Sequence, residues 1–235
     1  MHVHQKRSLE FTAGSPFARA VRILLHELEL PYEPHASEGA PAATQLGAET
    51  PTMQVPTLRD GNLVLWESGA IADYLLSTYP HRPQREPPLA KAVWRQDWQW
   101  RDKLVFSTIQ TFGTAVTTIS QLTWTGVSVA DNPHLARCAE RTGRILSWLE
   151  GELPGVNEGF LSGCLSVQDV FLACHIRFAG ARPLGLTLGM DAFPKTHALL
   201  LRLDERESFA TTPIRWWDPD VIGYAQDGQP IYPTS

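Results

Sequence analysis

Residues 165–176 read LSVQDVFLACHI, and this stretch restricts the fold more than any other. Ser166 and Asp169 stand three apart in a Ser/Thr-x-x-Asp/Glu pattern. In that pattern a hydroxyl takes the N–H of the third helical residue and a carboxylate returns to the N–H of the cap. Leu165 and Val170 have the spacing of a hydrophobic staple around that box. The helix that follows, VFLACHI, is apolar nearly all round and has no face to turn to water. It is expected to be central, with other elements packed on several sides.

Candidates for those neighbours lie on either side. From Leu89 to Phe112 there is neither Gly nor Pro, and Trp94, Trp98, Val105, Ile109, Phe112 and Val116 recur at helical spacing. This predicts one long helix, with Trp94, Trp98 and Trp100 in core packing. Asn132-Pro133 predicts a cap and first turn, after which Leu135, Cys138, Ala139, Thr142, Ile145, Leu146 and Leu149 face inward as far as Gly151. Phe193 to Arg206 supplies one more helix. The tail from Thr211 is rich in Pro, Gly and Trp and has no clear period.

The first eighty residues follow another pattern. Ser8–Ala13 predicts a strand ended by Gly14, and Pro16 sits where a first helical turn tolerates proline best. Phe17, Val21, Leu24, Leu25 and Leu28 form one apolar face of that helix, and Pro31 ends it. Tyr32–His35 predicts a second strand, parallel to the first. An irregular stretch with room for a short helix follows, and then VPTLRDGNLVL, a hairpin turning at Asp60-Gly61. Glu67-Ser68-Gly69 opens a helix with Ile71, Tyr74 and Leu75 on one face, ending near Tyr79-Pro80.

The element order β-α-β-α-β-β-α is that of a thioredoxin-like domain. The expected fold class is therefore α+β with two domains. The thioredoxin-like domain spans 7–80, a polar proline-rich linker 81–88, an all-α helical bundle 89–220 and a tail 221–235.

A net charge of −5 leaves no basic footprint for a nucleic-acid backbone. No apolar run approaches the roughly 20 residues that cross a bilayer, and MHVHQKRSLEF lacks the apolar core of a signal peptide, so a cytoplasmic protein without membrane partners is expected. Cys138, Cys164 and Cys174 are odd in number and far apart, with no CxxC pair. That suits reduced thiols, with Cys138 and Cys174 as small core residues, and not a disulfide framework or a zinc site. His26 and His175 have no partner at metal-ligand spacing and are read as structural.

Three turns in the first domain carry polar groups at element ends. Ser15 caps the helix that Pro16 opens. Pro56 cannot donate to a sheet ladder, so the Val55-Pro56 bond lies at an edge or is cis; if cis, it leaves the Val55 N–H and C=O free to pair with an extended peptide. Glu67-Ser68 stands where a strand gives way to a helix. Ser68 would suffice as an ordinary cap, yet unpaired N–H groups there favour a carboxylate and Glu67 suits an ammonium.

Together SPFARAVRILLHELELPYE, TPTMQVPTLRDGNLVLWESGAIADYL, the box at Ser166–Asp169 and the helical remainder resemble the glutathione transferase superfamily over nearly the whole chain. The closest likeness is to bacterial members with a Ser-Pro-aromatic turn. The resemblance implies glutathione as co-substrate, bound by Ser15, Phe17, Gln54, Val55, Pro56, Glu67 and Ser68, with no metal. Val55 would pair with the cysteinyl part, and Ser68 and Glu67 would hold the γ-glutamyl group. Ser15 would be the catalytic donor to the sulfur, with Thr12 as the rival hydroxyl.

The second substrate would be a small hydrophobic electrophile in an apolar cleft lined near Val105–Phe112, and the protein a homodimer. Asp169 resembles the buried aspartate that caps the central helix of such proteins, a folding role. Two other readings use the same scaffold: a binding or regulatory module without turnover, and a glutathione-dependent isomerase or lyase. With serine and not cysteine at position 15, the turn offers no thiolate for disulfide exchange. One departure stands out: Met53 replaces the glycine of an Asn-Pro-x-Gly-x-Val-Pro pattern, which strains the loop if that position needs positive φ.

Overall fold

The computed structural model describes residues 7–36, 50–79, 86–215, 221, 223–225 and 229–232. Strand β1 (Arg7–Phe11), helix α1 (Pro16–Glu27) and strand β2 (Glu33–Ala36) form a βαβ unit, with β1 and β2 parallel as expected. Strands β3 (Thr57–Asp60) and β4 (Leu63–Trp66) make the hairpin, and helix α2 (Ser68–Thr78) follows. The sheet order is β2-β1-β3-β4, mixed in direction because β1 pairs with β3 antiparallel. The helix expected between β2 and β3 lies outside the described residues.

Helix α1 buries Ala20, Val21, Ile23, Leu24 and Leu25 completely against the sheet and its neighbours. Gly61, at φ 60, supplies the left-handed residue that a two-residue hairpin turn requires. At the far end of the sheet, Arg7 donates to the Asp60 carboxylate at 3.0 and 3.2 Å, and the Tyr74 and Tyr79 hydroxyls donate to the same oxygen.

The remainder is helical: α3 (Gln99–Trp124), α4 (Pro133–Glu152), α5 (Val167–Gly180), α6 (Pro194–Asp204) and α7 (Glu207–Ala210). Helix α5 is the central one that its sequence demanded: all but two of its residues, Arg177 and Gly180, are buried. It packs against α1, α3 and α6. Its capping box is complete, with Ser166 Oγ accepting from Asp169 N at 3.1 Å and Asp169 Oδ2 accepting from Ser166 N at 2.8 Å. Phe160 N donates to the other carboxylate oxygen at 2.9 Å. Burial raises the Asp169 carboxyl pKa, while these donors oppose the shift by favouring the ionised form.

Two sequence expectations about the helical half need correction. The long helix begins at Gln99, after a 3-10 turn at Gln96–Trp98, and not at Leu89. Residues 88–90 instead lie alongside Leu165: Leu165 N donates to Pro88 O at 2.8 Å and Ala90 N to Leu165 O at 2.7 Å. Asp102 then captures Arg95, accepting from its backbone N at 2.7 Å and from its guanidinium at 2.7 and 2.9 Å, which fixes an extended approach before the helix starts.

Because that first segment is not helical, the tryptophans do not share an inward face. Trp98 and Trp100 are 61% and 75% exposed, beside Arg95 and Lys103, and Trp94 is half-buried. The helix expected over Phe193–Arg206 is α6, and the short helix α7 follows it after Arg206 turns to bind Glu27 at 2.7 and 2.8 Å. The tail has a small antiparallel pair, Gly223–Tyr224 with Pro230–Ile231, which no sequence period announced.

Candidate functional site

The sheet register places the three polar turns together. Glu10 is paired with Thr57, and Thr57 with Trp66. These residues stand at the end of β1, the start of β3 and the end of β4. The Thr12–Ser15 turn, the Val55-Pro56 bond and Glu67-Ser68 therefore project from the same end of the sheet, although more than 50 residues separate the first from the last.

At the first turn Ser15 is the N-cap of α1. Its Oγ accepts from Ala18 N at 3.2 Å, a role that uses a lone pair and leaves the hydroxyl proton available for donation. Ser15 N donates to Thr12 O at 3.1 Å, closing the turn. The rival hydroxyl, Thr12 Oγ1, is buried without a hydrogen-bond partner among the described residues. Phe17, half-buried, sets its ring edge-on to His175 of α5, 4.6 Å between centroids. His175 is fully buried between Phe17, Phe171 and Gly113, where an added Cβ would come within 2.5 Å of the imidazole. Burial lowers its pKa to about 3, so the ring is neutral.

At the second turn the Val55-Pro56 bond is cis, Gln54 is exposed and Val55 half-buried. Met53 has φ 53, the left-handed conformation that the departure from glycine put in question, and its side chain is exposed.

The third turn differs from the simple cap reading. The N-cap of α2 is Glu67, at φ 65 and with no side-chain cap bond, and Ser68 is already helical. Ser68 is buried and Glu67 exposed. The unpaired N–H groups of this first turn are thus left without a side-chain acceptor from the cap position.

Helix α3 closes over this third turn, though not with the residues expected. Val105, Ile109 and Phe112 are buried in the helical core, and Phe106 and Gln110 face α2 instead. A Cβ on Gly69 would lie 3.2 Å from the Phe106 ring and 3.3 Å from Gln110 Nε2. Sequence spacing does not single out Gln110 among the neighbouring Ser107, Thr108 and Thr111; its one signal is that it stands four after Phe106, on the same helical face.

Comparisons with known proteins agree with this fold. Residues 9–85 match the family model described as glutathione S-transferase, N-terminal domain. A curated relative, glutathione S-transferase 1 of Manduca sexta, is 35% identical over 70 residues, which span 28% of this chain and 32% of that protein. The match thus covers about a third of that relative's length.

Among solved structures, a glutathione transferase of Phanerochaete chrysosporium in complex with oxidized glutathione is similar at TM-score 0.70 and 22% identity, covering 90% of this chain and 96% of that one. The nitrogen regulation fragment of the yeast prion protein Ure2p is similar at TM-score 0.70 and 18% identity, covering 90% and 97%. At these identities the likeness is one of fold. The first domain is thus similar in sequence to the glutathione S-transferase N-terminal domain, and the two-domain fold is similar to that of glutathione transferase structures over nearly the whole chain.

Proposed function

We propose that the protein is a glutathione transferase that joins the sulfur of glutathione to a small hydrophobic electrophile. The observation that carries this reading is the register that brings Ser15, Val55 and Glu67-Ser68 to one end of the sheet. A γ-glutamyl group presents a carboxylate and an ammonium on one carbon. The open first turn of α2 and the Ser68 hydroxyl suit the carboxylate, and Glu67 suits the ammonium.

The cysteinyl backbone pairs with Val55, flanked by Gln54 and Pro56. Its sulfur lies at the start of α1, beside Phe17, and accepts from the Ser15 hydroxyl, with Thr12 as the alternative donor. A free thiol titrates near 8.5, and a helix N-terminus with a hydroxyl donor lowers that value, raising the thiolate fraction at neutral pH. Holding the thiolate against the electrophile supplies the rest of the acceleration. This chemistry requires no metal. The protein works as a cytoplasmic homodimer, and its turn at Ser15, lacking a thiol, does not support disulfide exchange.

Retention on immobilised glutathione, together with conjugation of a generic aryl halide, is the expected result. No binding at millimolar glutathione would sink the reading. A second reading, a binding or regulatory module without turnover, is favoured by the left-handed Met53 beside the peptide site and by the fold likeness to the Ure2p fragment. Binding without conjugation is the outcome that selects it.

A further inference from the structure

We propose that Arg19, on the helix whose start Ser15 caps, supplies a buried positive charge that holds the bound sulfur of glutathione in its thiolate form. The inference rests on the reading of this site as a glutathione site. Arg19 stands one helical turn after Ser15, and its backbone N donates to Ser15 O at 3.0 Å. Its side chain is buried, with Nε donating to Thr212 O at 2.6 Å, Nη2 donating to Phe209 O at 3.4 Å, and the guanidinium carbon 5.5 Å from the centre of the Phe209 ring. Nη1 is buried without a hydrogen-bond partner among the described residues.

None of these partners carries a charge. Arg7 faces Asp60 and Arg206 faces Glu27, buried carboxylates that balance them, whereas among the described residues no carboxylate pairs with Arg19. Pinning two carbonyls needs only donors, and a neutral amide would supply them without burying a charge. What arginine adds is the charge, and its pull on a sulfur is present inside the protein. Burial pushes the Cys174 thiol up to about 11, and Arg19 draws it the other way.

The surroundings do little to cancel this field. Helix α5 brings Cys174 and His175, both neutral, the imidazole because burial lowers its pKa to about 3. On α1 itself Arg22, over the Phe11 ring, has the same sign as Arg19. Helix α3 brings no charge, since none occurs between Lys103 and Asp131. The acids at this end of the sheet are Glu10, half-buried, and Glu67, exposed, where water weakens their opposing effect. A sulfur at the α1 start lies roughly 10 Å from the guanidinium, and at an effective dielectric of about 20 that separation lowers a thiol by about one pKa unit. Arg19 thus acts on the sulfur without touching it.

Ultraviolet thiolate absorbance, titrated against pH in the glutathione complexes of wild type, Arg19→Gln and Arg19→Lys, tests this. Calorimetric titration with S-methylglutathione, which has no thiol to ionise, is the control. Arg19→Gln keeps donors and loses the charge: the bound thiol should titrate about one unit higher, with S-methylglutathione affinity unchanged. Arg19→Lys keeps the charge and should stay within about 0.3 unit of wild type. In wild type the value should hold from low to high salt, because the field runs through protein and not through water. If Arg19→Gln does not fold, the salt series on wild type decides. An unshifted thiol in Arg19→Gln, equal shifts in both variants, a tenfold loss of S-methylglutathione affinity, or a wild-type value that climbs by a unit with salt would overturn the proposal while leaving the site reading intact. Failure of the wild type to bind glutathione would overturn both.

Discussion

Helices α5 and α2 start in opposite ways. At α5 the cap is closed internally: Ser166 and Asp169 exchange hydrogen bonds at 3.1 and 2.8 Å, and Phe160 N uses the remaining carboxylate oxygen at 2.9 Å. Both cap residues are buried, and Gly159 is packed so closely that a Cβ would fall 2.4 Å from the Asp169 carboxylate. At α2 the cap position is Glu67, exposed, left-handed and without a side-chain bond. Helix α1 lies between them, with one cap bond from Ser15 and a hydroxyl proton still available. A helix start sealed inside the protein serves folding, because every donor there must be satisfied without water. Starts that open at the end of the sheet can leave donors for a ligand.

The largest effect should come from unsealing α5. Asp169→Ala leaves the buried N–H groups of Ser166 and Phe160 without acceptors, at a cost of about 3–5 kcal/mol, and should lower Tm by roughly 10 °C in thermal melts. Ser68→Ala should alter stability by under ~0.5 kcal/mol while weakening glutathione binding, since no cap bond depends on its side chain. If the two variants had similar melting temperatures, the contrast between sealed and open starts would fail.

Acid should act on the same central helix. The His175 pKa is depressed in the folded state, to about 3, whereas the unfolded chain takes up the proton near 6.5. The stability from keeping the ring neutral is therefore fully present above pH 6.5 and is lost as pH falls towards 3. At pH 5 the loss is about 2 kcal/mol. Urea midpoints measured against pH should show this slope in wild type, and His175→Leu should flatten it.

Smaller effects belong to the first domain. Ser15→Ala should remove about 1 kcal/mol of capping. On the transferase reading it should also reduce kcat/KM by on the order of tenfold to a hundredfold and raise the pH at which bound thiolate absorbs in the ultraviolet. Full activity in that variant would move the donor role to Thr12 or to backbone N–H groups. Least of all, Met53→Gly should stabilise by about 0.5–1 kcal/mol by relieving a left-handed methionine, seen as a higher denaturant midpoint.

Much of this fold could be read locally. Ser15, Asn132 and the Ser166–Asp169 box announced helix starts that the structure has, because a cap bonds to residues two or three positions away. The hairpin at Asp60-Gly61 and the parallel βαβ start were equally local. The same periodicity misled at Leu89–Trp98, where spacing alone suggested a helix and buried tryptophans. There Asp102 and Leu165 compete for the backbone and keep it out of the α-helix, and neither competitor lies within one helical turn of the residues it captures.

The sequence by itself determined where elements begin, which helix must be central, and that the turn at position 15 offers a hydroxyl and no thiol. Each of these follows from chemistry spanning a few residues. Only the tertiary structure decided that Glu10, Thr57 and Trp66 stand in line, that Glu67 and not Ser68 occupies the cap of α2, and that Gln110 meets Ser68. Those facts depend on strand register and on which face one helix turns to another, and both are set by packing between segments that lie far apart along the chain.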